Sequence, residues 1–408
     1  MVMNDNIEPP KEALAGLKVL ELGQLIAGPF AAKTLADFGA DVIKIENIES
    51  GDPLRRWRMM RNGTSVWWEV QSRNKRSVCV DLRSEEGQVR VLALAKEADV
   101  LIENFKPGTL EGWGLGWETL HEANPGLIML RISGYGQTGP DKDKPGFGVL
   151  GEAMGGLRHL TGEPGRVPVR VGVSIGDSLS ALHGVIGVLM ALNHRHVNGG
   201  IGQFVDVALY ESVFNVMESL LPEYDAFKAI RGRAGSALPG IAPTNAYPCA
   251  NNDYVLIGGN GDSIYKRLMN AIDRPDLADD PQFSHNEGRA ADAESLDHAI
   301  GAWTMKRSVE EVIEKLDAVN VPVGRVYTIE DIVNSPQYQA RDMILKTTTA
   351  NGETLAVPGV VPKLSATPGR LKTPAPMLGA HTAECLGQVG WPERFRPERF
   401  VAKKSMDN

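Results

Sequence analysis

Three cysteines, Cys79, Cys249 and Cys385, are too few and too scattered for a disulfide framework or a paired-thiol metal site, and they fit a reducing, cytoplasmic compartment. Phosphate-gripping signatures are missing too. The first strand-to-helix turn carries Gly23 and Gly28 without G-x-G-x-x-G, and no G-x-x-x-x-G-K-[ST] occurs, so neither a dinucleotide fingerprint nor an ATP-driven step is indicated. The eight histidines form no H-E-x-x-H, and His194 and His196 read as solvated residues near a helix end, which leaves metal chemistry unsupported. The most apolar run, Gly184 to Leu192, is nine residues long, and the first residues carry acids and prolines where a signal peptide needs a basic start and an apolar run. Neither a membrane span nor a secretory leader is therefore expected. Positive charge is in deficit, 43 Lys plus Arg against 51 Asp plus Glu for a net charge of −8, so bulk charge draws the chain to neither nucleic acid nor anionic lipid.

What is present is a globular balance, 42% hydrophobic and 23% charged, in 408 residues, a length that favours two or three domains. From Leu17 to Ser133 apolar runs alternate with amphipathic segments. KVLELG (18–23), DVIKIE (41–46), SVCVDL (77–82), DVLIENF (99–105) and LIMLRIS (127–133) read as strands, and AAKTLADFGA and SEEGQVRVLALAKEA (84–98) as helices, the latter capped by Ser84 with Val89, Leu92 and Ala93 on one face. Such alternation implies a parallel sheet covered by helices, with ligands beyond the carboxyl ends of the strands.

GYGQTGPDKDKPGFG (134–148) is too rich in glycine and proline for regular structure and reads as a long loop at a strand end. VRVGVSI (169–175) alternates like a strand, 177–196 reads as a helix, FVDVAL (204–209) as a strand and 211–229 as one further helix. From about residue 231 the chain is turn-rich, then YVLIGGNGD and SIYKRLMNAI suggest a separate strand and helix group. The expected division is a large domain over 1–229, a small domain over 230–330, and a return to the large domain over 331–408.

Two candidate nucleophiles lie close together. Gly172-Val173-Ser174-Ile175-Gly176 matches G-x-S-x-G, but Ser174 falls within the expected strand, and no His-Gly-Gly oxyanion segment is present. Asp177, at the start of the following helix, reads from spacing as an N-cap that accepts a backbone N–H. The alternative is a carboxylate nucleophile. A helix N-terminus favours its anion by roughly 0.3–1 kcal/mol, but a carboxylate is a weak nucleophile, so the site must add proximity to an activated acyl group, partial desolvation and oxyanion donors.

LKVLELGQLIAGPFAAKTLADFGADVIKIE with GDPLRRW, then SRNKRSVCVDL, ADVLIENFKPG, SGYGQTGP and GVSIGDS together resemble the class III CoA-transferases, the family of formyl-CoA and carnitine CoA-transferases. The resemblance runs from Leu17 to about Thr382. It implies an α/β fold, a Rossmann-like large domain with a parallel sheet and a smaller α+β domain, in an interlocked homodimer whose open rings thread each other. It also implies transfer of CoA between carboxylic acids through aspartyl-anhydride and aspartyl-CoA intermediates on Asp177. CoA is then a substrate, and no tightly bound cofactor is expected. By the same resemblance Gln24, Leu25, Val80, Leu82, Arg83, Asn104 and Phe105 match CoA-contacting positions, and Tyr135 matches a residue lining the acyl site.

The departures from the family pattern are specific. Some relatives carry basic residues where this chain has Asn47, Gly112 and Ser133, which shifts the expected grip on the CoA phosphates to Arg83, Lys75 or Arg76. APTNAYPCANNDY lacks the extended glycine run of formyl-specific relatives, against formyl-CoA/oxalate specificity. The related α-methylacyl-CoA racemases carry a Gly-His pair after the loop, where this chain has Gly146-Phe147, so two-sided proton abstraction lacks one base. Arg55, Arg56 and Arg58, near Trp57, Trp67 and Trp68, suggest a small dicarboxylate as acceptor, or else a solvated basic face. The other readings are a thioesterase or esterase using Ser174 and a non-catalytic acyl-CoA-binding scaffold.

Overall fold

The computed structural model describes residues 12–387. Alternation in the first strands decides the architecture. Val19 and Leu20 face opposite ways in β1 (Lys18–Glu21), as do Val100 and Leu101 in β4 (Val100–Glu103), and each set of side chains enters a different core. With β2 (Asp41–Glu46), β3 (Lys75–Cys79), β5 (Ile128–Ser133) and β6 (Phe204–Ala208) they form one parallel sheet in the order β3-β2-β1-β4-β5-β6. Order reverses between β1 and β4, the switch point at which open α/β sheets receive ligands.

Helices cover both faces. On one, α1 (Ala27–Asp37) and the long α4 (Ile175–Val197) lie side by side, burying Ala31, Leu35, Ala181, Val185 and Val188 against Val42, Ile102, Leu130 and Val207. On the other, α2 (Glu85–Ala95) and the helix Thr382–Gly387 bury Val91, Leu94, Cys385 and Leu386 with Val78, Leu101 and Met129. Ser84 does cap α2, its hydroxyl accepting from Gly87 N at 3.0 Å, but the buried stripe is Val91, Leu94 and Ala95, two residues along and so about 200° around from the expected face. Although α4 is long and apolar enough to cross a membrane by length and composition alone, its inner stripe packs in this core.

Clustering of contacts divides the chain into two compact units: one from the described residues up to Leu157, Val171–Ser219 and from Gln339 on, the other Arg158–Arg170 and Leu220–Tyr338. The boundaries read from sequence lay at 230 and 330. In the second unit β7 (Thr244–Pro248), β8 (Tyr254–Gly258) and β9 (Val323–Arg325) form an antiparallel sheet with β8 in the centre. It packs on α6 (Asp262–Ala271), α7 (Ala293–Thr304) and α8 (Val309–Asp317) around Tyr247, Ile257, Leu268, Ile300 and Val312.

Three expected elements are different. Residues 169–174 form no strand: Val169 and Val173 are 45% and 56% exposed, and the edge beside β5 is taken by β6. The helix expected over 211–229 is two, α5 (Leu209–Phe214) and Leu220–Phe227, because Pro222 can neither donate to nor clear the carbonyl of Glu218, which turns at φ 51°. The turn-rich stretch 231–253 hides β7, whose strand character is masked by Asn245 and Pro248.

Candidate active site

The first strand-to-helix turn sits at the switch point and is held by side chains from three other places. Gly23 and Gly28 approach so closely that a methyl on Gly23 would lie 3.0 Å from the α-carbon of Gly28 and 3.1 Å from Asn104 Oδ1, so both positions need glycine. Asn104, just beyond β4, accepts from Gln24 N at 2.7 Å and donates to Gln24 O at 2.9 Å. Leu25 turns at φ 64°, and its N–H donates to both oxygens of Asp52, at 3.1 and 3.3 Å. The Gln24 carboxamide makes no hydrogen bond among the described residues.

Beneath the turn runs a buried chain of charges. Lys44 Nζ reaches Glu21 Oε1 and Asp52 Oδ2 at 2.8 Å each and donates to Gly23 O at 2.8 Å, while Lys75 Nζ lies 2.7 Å from Glu21 Oε2. Burial would raise Asp52, but Lys44 and backbone donors hold its carboxyl below the usual range. Burial pushes Lys75 down to about 8 against the pull of Glu21. Arg55 grips Glu46 with two hydrogen bonds of 2.7 Å and stacks 3.7 Å over the Trp68 ring, and these contacts, with Lys44 and Ser77, outweigh burial and lower the Glu46 carboxyl.

This network corrects three expectations. Lys75 is sealed between Glu21 and the Pro29 carbonyl, and Arg76 pairs with Asp41 and Glu384, so neither is at hand for a phosphate. Arg55 is spent on Glu46, so of the arginine cluster only Arg56 and Arg58 stay exposed, Arg58 lying 4.6 Å over Trp67. Arg83 is exposed, with no ion pair among the described residues. Val80 is buried, so any ligand contact it makes runs through its backbone, while Leu82 and Phe105 pack on the same core and Phe105 meets Trp113 edge to face at 5.3 Å.

Asp177 lies at the same edge of the sheet. A methyl on Gly184 of α4 would lie 2.8 Å from Leu130 of β5, fixing where helix and strand meet. From there the strand rises about 10 Å to Ser133 while the antiparallel helix runs about 10 Å back to Asp177, which comes level with the strand's carboxyl end. Asp177 is the third residue of α4, where the N-terminal dipole favours a carboxylate, and Ser174, not Asp177, occupies the N-cap. Its carboxylate packs on Gly148, the first residue of α3 (Gly148–Met154): a methyl there would sit 2.1 Å from Asp177 Oδ2. The irregular backbone before Ser174 removes the strand that a hydrolase nucleophile elbow requires.

The loop expected over 134–148 is pinched at its base. A methyl on Gly134 would lie 2.7 Å from the α-carbon of Gly146, and one on Gly146 would lie 3.4 Å from the Tyr135 ring. Tyr135 is thereby brought within two residues of Gly148, the residue that touches Asp177. Asp206 of β6 accepts from Gln137 N at 2.9 Å and Ser133 Oγ from Gly136 N at 2.9 Å, which fixes the start of the loop. Next to it, Glu103 and Arg131 pair at 2.8 Å, and burial pushes the Glu103 carboxyl up to about 7 despite the arginine. Gly148 and Asp206 were missed in the sequence; the only hint of Gly148 was a glycine closing a long loop just before a helix.

A parallel sheet of order 3-2-1-4-5-6, with Asp177 packed on Gly148 beside its carboxyl edge, defines an open α/β protein of the doubly wound kind. The model for CoA-transferase family III matches residues 14–382, and the chain belongs to that family. It is 47% identical over 376 residues to succinyl-CoA–D-citramalate CoA-transferase of Chloroflexus aurantiacus, covering 92% of this chain and 93% of the relative. It is 35% identical to succinate–glutarate CoA-transferase of Agrobacterium fabrum, covering 95% and 98%. Among solved structures, a CAIB/BAIF family protein from Brucella suis superposes with a TM-score of 0.81 at 34% identity, over 92% of this chain and 98% of that one. The protein is a CoA-transferase, moving CoA between an acyl-CoA and a carboxylic acid.

Proposed function

We propose that Asp177 is the nucleophile of this transfer and that the physiological acceptor is a small dicarboxylate, with succinyl-CoA as donor. The observation that carries the first part is the seat of the Asp177 carboxylate, against a glycine, in the first turn of a helix and level with the end of a strand. An Asp177 oxygen attacks the thioester carbonyl and expels CoA thiolate, leaving an aspartyl–acyl anhydride. The thiolate attacks the aspartyl carbonyl of that anhydride, forming aspartyl-CoA and releasing the donor carboxylate. The acceptor carboxylate then displaces the thiolate from the aspartyl carbonyl to form a second anhydride, and the thiolate attacks the acceptor's acyl carbon, regenerating the Asp177 carboxylate. One thioester is broken and one made, so no nucleotide is consumed.

CoA lies along the carboxyl edge, over Gln24 and Leu25 at the switch point, with Val80, Leu82, Asn104 and Phe105 forming the walls beside the turn. Arg83, exposed and uncommitted, is the cation suited to a CoA phosphate, and Tyr135 borders the acyl group. The dicarboxylate preference is supported by the acceptors in the relatives' names, citramalate and glutarate, and by Arg56 and Arg58 beside Trp57 and Trp67.

The outer face of α4 supports the homodimer of the interlocked reading, though not the interlocking itself. Leu182, Ile186, Leu189 and Met190 are 43%, 50%, 42% and 67% exposed, a second apolar stripe at helical spacing on a helix whose first stripe is already in the core. A second copy of the chain is the proposed cover. Three free cysteines suit a cytoplasmic setting. The experiment is exchange of labelled succinate into succinyl-CoA: Asp177→Ala abolishes it while CoA still binds, and Ser174→Ala leaves it measurable. Exchange surviving in Asp177→Ala contradicts the proposal, and no exchange in the wild-type protein removes succinyl-CoA as the donor.

A further inference from the structure

We propose that Asp52 and Lys44, with Asn104, are positioning residues that hold the backbone of Gly23, Gln24 and Leu25 in the conformation that receives CoA; this rests on the reading that CoA binds over that turn. Three consecutive residues are each clamped by a different side chain. Lys44 donates to Gly23 O at 2.8 Å, Asn104 takes both the N–H and the carbonyl of Gln24 at 2.7 and 2.9 Å, and Asp52 takes the Leu25 N–H at 3.1 Å. No backbone polar group of the turn is left to follow its own preference except the Leu25 carbonyl.

Leu25 shows why the clamp is needed. Its φ of 64° is a left-handed conformation that the Cβ of a leucine disfavours and that leucine cannot offset with a local side-chain hydrogen bond. A turn needed only to reverse direction would carry glycine there. A leucine held left-handed instead fixes a side chain in place and leaves the Gln24 carboxamide uncommitted at the switch point. Such strain persists only where the surroundings over-determine it. Lys44 and Asp52 do so because they are buried and paired with each other, Lys44 being bound in turn to Glu21, with Lys75 behind it.

A double-mutant cycle on the full-length protein tests this, with CoA affinity by calorimetry and transfer kinetics as readouts. Asp52→Ala weakens CoA binding about tenfold or more and raises KM for acyl-CoA, with KM for the acceptor unchanged, because an unclamped Leu25 leaves the left-handed region. Leu25→Gly, which has no such preference, costs at least about threefold less affinity in the Asp52→Ala background than in the wild type. If Asp52→Ala does not fold, Asn104→Ala with Leu25→Gly runs the same cycle with an uncharged clamp. Independent, multiplying effects, or a variant that melts lower yet binds CoA as the wild type does, overturn the positioning role alone. Failure of the wild-type protein to bind CoA overturns it together with the proposed function.

Discussion

The carboxylate of Asp177 and the α-carbon of Gly148 are in direct contact, with room between them for no further atom: a methyl on Gly148 would lie 2.1 Å from Oδ2. The Asp177 carboxylate thus packs directly on backbone, at the start of α3. Gly176 is similarly close, a methyl there coming within 3.0 Å of the Gly148 carbonyl.

Gly148→Ala therefore displaces the carboxylate without touching the switch point. The expected outcome is a fall in kcat of about 100-fold, the scale of a misplacement near 1 Å, with CoA affinity within about threefold of wild type. Steady-state kinetics beside calorimetry checks it, and an unchanged kcat would mean that the carboxylate does not depend on this contact.

Much of this architecture was legible in the residues, and the failures have physical causes. Apolar runs and alternation placed all six strands of the large sheet, FVDVAL included, because helices cover both of its faces. The same alternation in Val169, Val171 and Val173 misled, since an extended connector has the same pattern and only a vacant sheet edge makes it a strand. Lys75 read as a cation for phosphate, because its burial depends on Glu21, which lies two strands away in the sheet and far in sequence. Sequence singled out Asn104 but could not tell that both ends of its amide are taken by Gln24.

Glu103 gives a pH signature. Burial pushes its folded carboxyl up to about 7 from the ordinary 4.5, so the folded state holds a proton that the unfolded chain has lost between those limits. This contribution is fully present below about pH 4.5 and declines as pH rises toward 7. Melting curves of Glu103→Gln and wild type from pH 4.5 to 8 should show the variant gaining relative to wild type as pH rises. A constant difference would place the Glu103 pKa in the ordinary range.

Arg83→Ala should raise KM for succinyl-CoA about three- to tenfold with little change in kcat, the pattern of lost uniform binding. The effect should shrink at high salt and be smaller with a dephosphorylated CoA substrate. Equal losses with both substrates would assign Arg83 another role.

Ile186→Asp puts a charge in the outer stripe of α4 without altering its inner face. Analytical ultracentrifugation should show the proposed dimer in the wild type and monomer or poorly soluble chain in the variant, because the cost of burying an unpaired carboxylate opposes assembly. An unchanged dimer would mean that this stripe lies outside the interface.

The covalent step is open to direct observation. Protein quenched during turnover of succinyl-CoA, reduced with borohydride and digested for mass spectrometry should yield the peptide containing Asp177 with its side-chain carboxyl reduced to an alcohol, and only when the thioester was present. An unmodified Asp177 during undiminished turnover, or an acyl group on Ser174, would contradict the assignment of Asp177 as the nucleophile.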